Sequence, residues 1–126
     1  MDIEQRKYVR FSVQNDTFAA LRKGFEIAGK VHDISIRGLA LSYLSESIKT
    51  GSDRDFSQVD IFLSGNGFYL PKVPCKIMYD IQDSKSIKNI SIMMRRCGLY
   101  FGKLNKSQLD LLELFLKNYT TGQLSS

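Results

Sequence analysis

The sequence is poor in the residues that build metal centres and catalytic sites. It has two cysteines, Cys75 and Cys97, and a single histidine, His32. The cysteines lie far apart, without a CxxC pair or a histidine-rich neighbourhood, which argues against a structural zinc site. We expect both thiols to be reduced and buried, although a disulfide between facing strands would be geometrically possible. His32 has no nucleophile motif and no second ligand at metal spacing, so no metal site is predicted.

Long apolar runs are also missing. Stretches such as Ile61-Phe62-Leu63 are far shorter than the roughly 20 residues of a membrane-spanning helix. The start of the chain, Met1 to Arg6, has no apolar region of the kind found in signal peptides. We therefore expect a cytoplasmic protein without a membrane span.

The glycine-rich motifs of nucleotide-dependent enzymes are absent as well. There is no GxGxxG, and Gly65-Asn66-Gly67 lacks the lysine and the helix of a P-loop. Two carboxylate pairs, Asp53 with Asp55 and Asp80 with Asp83, lie in loop-like stretches where we expect them to be solvated. The sequence therefore predicts a protein that is not an enzyme and that needs no cofactor.

The chain does contain enough apolar residues for one domain, together with an excess of positive charge. Its 126 residues are 43% hydrophobic and include 8 Phe and 6 Tyr, which suits a single core. The formal net charge is +5. This balance favours an anionic partner, such as nucleic acid, a phosphorylated small molecule or a membrane surface.

Residues 1–16 form a polar, basic N-terminal arm. In an extended backbone Arg6, Tyr8 and Arg10 share one side, and the apolar residues that alternate with them share the other. The two arginines then stand about 13 Å apart, at roughly 3.3 Å per residue. Such an arm could close over a bound molecule. The alternative is a solvated, disordered basic terminus.

From Thr17 onward the pattern is that of β-strands joined by turns. A hairpin turns at Arg22-Lys23-Gly24, and an Asn-Gly signal at residues 64–67 predicts a second tight hairpin. The polar stretches 45–58 and 83–88 predict loops. Strands are predicted at residues 18–21, 25–34, 39–44, 59–63, 75–81 and 90–101.

Two features interrupt this strand pattern. Pro71 and Pro74 predict either an edge strand or a kink before Cys75, because proline cannot donate to a strand ladder. Arg95 and Arg96 break the apolar alternation of the last strand. They predict an exposed edge or, alternatively, a second contribution to an anion site.

Helical spacing begins only near the end of the chain. Asn105 can serve as N-cap, with Gln108 completing a capping box. The apolar face of the helix comprises Leu109, Leu112, Phe115, Leu116 and Tyr119. We expect the helix to pack across an opening or a face of the β structure, and the tail from Thr120 to Ser126 to fray.

Six short antiparallel strands and one C-terminal helix predict a mainly β fold, a small closed barrel that has no free edges to protect. The expected organisation is a flexible arm at residues 1–16, a barrel with its helix at 17–119, and a tail at 120–126.

The stretch Asp33-Ile34-Ser35-Ile36-Arg37-Gly38 is the best candidate for binding chemistry. Asp33 and Ser35 project together from an extended backbone, and Gly38 allows a turn or the close approach of a ligand. By itself this pattern is also typical of a turn that ends a strand.

The parity of Asp33 and Ser35 matches that of the apolar Ile27 and Val31. Either the polar pair emerges at the rim of the core where the strand ends, or a bulge near His32 shifts the register. Both alternatives place the pair at an edge of the β structure.

The two arginines of the arm would complement this polar pair. Arginine offers a planar fork that matches phosphate oxygens and the acceptors of guanine, and it can stack on a base. Aspartate accepts hydrogen bonds from the N–H groups of guanine, and serine can donate to phosphate. Arg6 and Arg10 opposed to Asp33 and Ser35 would therefore suit an anionic guanine nucleotide, although composition and spacing alone leave the ligand less defined.

In these two segments the sequence resembles PilZ domains, which are bacterial receptors for cyclic di-GMP. Residues 6–10 match the RxxxR motif of that family, and residues 33–38 match its D/NxSxxG motif. The resemblance continues through residues 38–41, 74–77 and 97–101 into the terminal helix. It implies a six-stranded antiparallel barrel with a helix, in agreement with the strand count above.

The resemblance also implies roles for individual residues. Arg6 and Arg10 would clamp phosphates and guanine bases, while Asp33 and Ser35 would contact guanine and phosphate from the barrel rim. Gly38 would keep the backbone clear of the ligand.

Lys7 stands where many family members have a second arginine immediately after the first. It keeps the positive charge but lacks the planar fork, so it departs from the family pattern.

The leading hypothesis is therefore a non-catalytic cyclic di-GMP receptor that changes the surface shown to a protein partner when the ligand orders the arm. A PilZ-like adaptor that does not bind the nucleotide is one alternative. A small basic barrel that binds single-stranded nucleic acid, through basic and aromatic residues, is another. We rank nucleic acid below a protein as the partner.

Overall fold

The computed structural model of the protein describes residues 8–23, 25–45, 57–83 and 93–124. These residues form eight strands and one helix. In chain order they are β1 (Phe11–Val13), β2 (Thr17–Lys23), β3 (Phe25–Ile34), β4 (Gly38–Ser45), β5 (Ser57–Leu63), β6 (Tyr69–Gln82), β7 (Met93–Phe101), α1 (Lys106–Asn118) and β8 (Thr120–Gln123).

Six of these strands close into an antiparallel barrel. They follow the order β2-β5-β6-β7-β4-β3, and β2 pairs back with β3 to complete the circle. The predicted hairpin from residue 18 to residue 34 is present, with Phe18 opposite Lys30 and Lys23 opposite Phe25. The prediction of a six-stranded antiparallel barrel followed by a helix is therefore confirmed.

The barrel interior is filled by alternate residues of its strands, and α1 covers part of it. Leu21, Val59 and Leu41 are fully buried, as expected for inward positions of a closed sheet. The capping box at the start of α1 is present: Asn105 Oδ1 accepts from the Gln108 N–H, and Gln108 Oε1 accepts from the Asn105 N–H.

Only part of the predicted apolar face of α1 reaches the core. Leu112 and Phe115 are fully buried, whereas Leu109 is 38% exposed. The Phe115 ring lies 5.2 Å from that of Phe68, and the Tyr119 ring lies 5.4 Å from Phe68. These ring contacts fasten the helix over the β5–β6 hairpin.

Two further strands lie beside the barrel and correct the predicted termini. β1, from the arm, pairs with β3, and β8 pairs with β1. The prediction that the tail frays from residue 120 is therefore wrong for Thr120–Gln123. The Leu124 N–H also donates to the Arg10 carbonyl at 2.8 Å, so the C-terminal strand holds the base of the arm.

The proline-containing strand β6 is a kinked central strand and not an edge strand. It lies between β5 and β7, and the pairing with β5 shifts register between Val59 and Ile61. Lys72 has a φ of 56°, and its N–H donates to the Asp60 carboxylate at 2.8 Å. A buried aspartate therefore accepts the backbone donor that the bulge removes from the ladder.

Arg95 has neither of its two predicted roles, and Asp80 is not the solvated loop residue that was predicted. Arg95 is only 8% exposed, and its Nε donates to Asp80 Oδ1 at 2.9 Å. The Tyr43 hydroxyl donates to the same carboxylate at 2.7 Å, and burial together with this hydrogen bond raises the pKa of Tyr43. These three residues form a polar network at one end of the barrel, so Arg95 marks neither an exposed edge nor an anion site.

The thiols behave as predicted, and some other predictions lie outside the described residues. Cys75 and Cys97 are free and buried. Burial raises the pKa of Cys75 to about 12. Asp53 and Asp55, and most of the two predicted loops, lie outside the described ranges.

Candidate functional site

A cleft lies on the outer face of the barrel, where four strands are in register. Asp33 pairs with Ala40, Ala40 with Gly98, and Gly98 with Tyr79. Residues opposite each other in antiparallel strands point to the same face of the sheet. Because Ala40 and Gly98 carry almost no side chain, the middle of this row is recessed between Asp33 and Tyr79.

A β-bulge at His32 turns Asp33 to this outer face. Val31 is opposite Leu41 and Asp33 is opposite Ala40, so His32 is an extra residue in β3. The bulge alternative predicted from the parity of the polar pair is therefore correct. Without the extra residue, Asp33 would share the inward face of Val31.

The cleft has a volume of about 300 Å³, and four of the six predicted site residues line it. These four are Arg10, Asp33, Ser35 and Gly38. The other two, Arg6 and Lys7, lie outside the described residues. The structure therefore brings the described part of the arm and the rim segment 33–38 to one place.

Arg10 and Asp33 join the arm to the rim across the mouth of the cleft. Arg10 Nε donates to Asp33 Oδ1 and Arg10 Nη2 to Asp33 Oδ2, both at 3.3 Å. The Asp33 side chain is 10% exposed, whereas that of Arg10 is 59% exposed. The carboxylate is thus held by the barrel, while the guanidinium reaches over it from solvent and keeps further N–H donors.

Ser35 builds the turn that follows β3. Its N–H donates to the Gly38 carbonyl at 2.8 Å, and its Oγ accepts from the Arg37 N–H at 3.0 Å. Ser35 is 6% exposed. Because Oγ is the acceptor in this contact, its own hydroxyl proton is still available to a ligand oxygen.

Strand packing explains why position 38 is a glycine, and the sequence did not reveal this. A Cβ at this position would stand 2.0 Å from the Leu99 carbonyl oxygen. The glycine is therefore needed for β4 to pack against β7. The expectation that Gly38 keeps the backbone clear of a ligand is not needed to explain it.

Sequence reasoning missed Arg37, which lies between two tyrosines at one end of the cleft. Its Cζ is 4.7 Å from the centroids of both the Tyr8 ring and the Tyr100 ring. Arg37 Nη1 donates to the Tyr8 hydroxyl at 2.8 Å, and Nη2 donates to the Tyr100 hydroxyl. The shared side of Tyr8 and Arg10 in an extended arm was the signal that could have predicted part of this contact.

Met78 and Tyr79 form the wall of the cleft opposite Asp33, and no motif in the sequence pointed to them. They lie where the β6–β7 pairing shifts register between Ile77 and Tyr79. Met78 is 59% exposed and Tyr79 is 37% exposed. A Cβ on Gly98 would stand 2.2 Å from the Tyr79 ring, so this ring lies directly against the glycine.

His32 lies next to the cleft in a contact of its own. Its Nε2 is 2.5 Å from Ser42 Oγ. Burial and the nearby charge of Arg96 lower the pKa of His32, although Asp33 acts in the opposite direction. Within the described ranges no three His, Cys, Asp or Glu side chains are grouped so that they could hold a metal ion. No described helix is long and apolar enough to cross a membrane.

Comparison with known proteins identifies the architecture. No protein-family model and no curated protein matches the sequence. The PilZ domain of YcgR from Escherichia coli, solved with c-di-GMP, is similar with a TM-score of 0.67 at 11% identity, covering 90% of each chain. The complex of K. pneumonia MrkH with c-di-GMP is similar with a TM-score of 0.65 at 16% identity, covering 90% of this chain and 51% of that one.

A third similar structure comes from Bacillus subtilis. The Bacillus subtilis inhibitor of motility MotI/DgrA has a TM-score of 0.59 at 17% identity, covering 91% of this chain and 51% of that chain. The protein therefore has the fold of a PilZ domain. It spans about half the length of the MrkH and MotI chains.

Proposed function

We propose that the protein is a non-catalytic receptor for cyclic di-GMP, which binds in the cleft between the N-terminal arm and the rim segment 33–38. The observation that carries this proposal is the Arg10–Asp33 pair, which links the two segments across the mouth of the cleft with two contacts of 3.3 Å. The YcgR and MrkH structures with the same fold contain c-di-GMP, which supports the choice of ligand.

The chemistry of the cleft suits a guanine nucleotide. Asp33 can accept from the N1–H and N2–H groups of guanine, which point in one direction as a pair of donors. Arg10 has a planar guanidinium that can move from Asp33 to a phosphate or to the O6 and N7 edge of the base. The Arg10 side chain is 59% exposed and can move into solvent, while the guanine N–H groups would replace it as donors to the Asp33 carboxylate, which is only 10% exposed.

The remaining groups of the cleft complement these contacts. The Ser35 hydroxyl can donate to a phosphate oxygen. The partly exposed ring of Tyr79 offers a face on which a base can stack. We propose, from the sequence motif, that Arg6 contributes a second fork and that Lys7 contributes charge alone.

Bound ligand would change the surface that the arm and the rim present together, because it would fill the cleft between them and take Arg10 from Asp33. A partner protein that contacts both segments would then distinguish the two states. One similar protein, MrkH, is described as a c-di-GMP-dependent transcription regulatory factor. DNA is therefore a second kind of partner to test, with oligonucleotide binding measured at several salt concentrations.

Isothermal titration calorimetry with cyclic di-GMP tests the proposal. We expect Arg10→Ala to weaken binding at least about tenfold, which corresponds to about 1.4 kcal/mol. Lys30→Ala is the matched control, because Lys30 is an exposed cation of β3 that does not line the cleft, and it should leave the affinity unchanged. Absent heat with the wild type, or equal affinity of the wild type and Arg10→Ala, would contradict the proposal and favour the adaptor alternative.

A second titration tests the guanine contact itself. Asp33→Ala removes both acceptor oxygens, whereas asparagine at this position would still fit the D/NxSxxG motif. The substitution should weaken the binding of cyclic di-GMP more than that of cyclic di-AMP, because adenine lacks the paired N1–H and N2–H donors. An equal loss for both nucleotides would place Asp33 outside the base-binding contacts.

A further inference from the structure

We propose that Arg37 is a positioning residue that holds the N-terminal arm on the rim before any ligand binds, through the stack of Tyr8, Arg37 and Tyr100. The inference deepens the proposed function and rests on it for its effect on nucleotide affinity. Its structural part, an arm held by Arg37, is independent of the ligand.

The stack joins three separate segments of the chain. Tyr8 belongs to the arm, Arg37 to the turn after β3, and Tyr100 to β7. The guanidinium carbon lies 4.7 Å from both ring centroids, well within the roughly 6 Å reach of a cation–π interaction. Both tyrosine hydroxyls also accept from the guanidinium.

The backbone of Arg37 is fixed to the barrel on both sides of its Cα. Its N–H donates to Ser35 Oγ at 3.0 Å, and its carbonyl accepts from the Phe101 N–H at 2.7 Å. The guanidinium therefore projects from a rigid base. Tyr100 belongs to the barrel itself. Of the two tyrosine contacts that Arg37 makes, the contact with Tyr8 is therefore the one that attaches the arm.

The register of β1 explains why Tyr8 meets Arg37. Phe11 is opposite Ile34 and Ser12 is opposite Asp33. Extending this antiparallel register by three residues places position 8 beside position 37, where the observed contact lies. The arm thus continues along the rim segment past the end of the regular pairing.

Beyond the strand pairing of β1, the side chains of Arg10 and Tyr8 both attach the described part of the arm to the rim, and the ligand competes only for the contact of Arg10. Arg10 contacts Asp33, and both residues are needed for the ligand in the proposed function. The Tyr8–Arg37 contact can persist while the Arg10–Asp33 pair opens. It keeps Arg10 beside the cleft during that exchange, so less ordering remains to be done when the ligand binds.

A tryptophan reporter tests the structural part without any nucleotide. The chain contains no tryptophan, so Tyr8→Trp introduces a single fluorophore at the stack, and its indole remains a good cation–π partner. We expect Arg37→Ala in this background to raise acrylamide quenching at least about twofold. Arg37→Lys should give an intermediate value, because it keeps the cation and loses the planar fork.

Arg96→Ala is the matched control in the same background. Arg96 is a half-buried arginine of β7 that does not line the cleft, so its loss should leave quenching unchanged. Equal quenching with and without Arg37 would overturn the proposal.

Nucleotide titration tests the functional part with the tyrosines intact. If loss of Arg37 lowers the population with the arm on the rim to about one fifth, cyclic di-GMP affinity falls about fivefold. Arg37→Lys should restore part of it. Unchanged affinity together with raised quenching would overturn the positioning role, whereas no binding by the wild type would refute the proposed function and leave the quenching result to decide the arm contact.

Discussion

Asp60 fastens the bulge that bends β6, and its replacement should destabilise the whole barrel. The Asp60 side chain is 4% exposed. Its carboxylate accepts from Arg22 Nη2 at 2.8 Å, from the Tyr69 hydroxyl at 3.2 Å and from the Lys72 N–H at 2.8 Å. Asp60→Asn keeps the shape but turns an NH2 group toward donors, so at least one buried hydrogen bond is lost.

We expect Asp60→Asn to lower the free energy of unfolding by about 2 kcal/mol. Hydrogen bonds to charged groups contribute about 1.5–3 kcal/mol. Breaking a fully buried ion pair costs about 3–5 kcal/mol, but the Arg22 side chain is 47% exposed and regains water. In a domain of this size 2 kcal/mol corresponds to a fall in Tm of about 8 °C.

The effect should also depend on pH in a defined direction. Burial raises the pKa of Asp60, but the hydrogen bonds from the Lys72 amide and Arg22 outweigh it, and the net pKa lies below the ordinary value. Because the pKa of Asp60 is lower in the folded state, its carboxylate stabilises the fold fully at pH values above the pKa of the unfolded chain, which is about 3.9. That stability is lost as the pH falls through the folded-state pKa. The difference between wild type and Asp60→Asn should therefore shrink in acid.

Urea unfolding followed by circular dichroism at pH 7, 5 and 3 measures this difference. Asp110→Asn is the matched control, because Asp110 is 60% exposed and its contact with Lys106 is 3.5 Å. Such a surface pair contributes at most about 0.5 kcal/mol. An Asp60→Asn variant as stable as the control, or a difference that is the same at pH 7 and pH 3, would refute the reasoning.

Two further substitutions test the cleft floor and the helix cap. Gly98→Ala should push the partly exposed Tyr79 ring away from the cleft floor. In calorimetry, the affinity for cyclic di-GMP should fall about tenfold, which corresponds to about 1.4 kcal/mol. Gly122→Ala, whose Cβ would meet nothing nearer than 3.8 Å, is its control, and equal affinities of the two variants would contradict the cleft assignment. Asn105→Ala should lower stability by about 1 kcal/mol in thermal unfolding, because it removes the capping box. An unchanged Tm would show that the cap contributes nothing.

The local features of the fold were predictable because neighbouring residues determine them. The capping box needs only Asn105 and Gln108, which lie within one helical turn. The bulge at His32 was predictable as one of two alternatives, because the parity of Asp33 conflicts with the apolar alternation before it. Strand length and alternation then sufficed for the count of barrel strands.

Features that depend on pairs of distant residues were predicted wrongly or missed. Arg95 looked like a surface residue because its partner Asp80, which also accepts from the Tyr43 hydroxyl, lies on another strand. The strand at residues 120–123 has little apolar patterning, and it forms because β1 offers an edge beside it.

Periodicity and turn chemistry act over a few residues, and they were enough to predict a β-barrel with a terminal helix and a polar motif at the end of one strand. That this motif borders a cleft follows from the way distant strands pair. The recess exists because strand register sets Ala40 beside Gly98, between Asp33 and Tyr79. Register across four strands is a property of the closed barrel, and no single segment of the chain contains it.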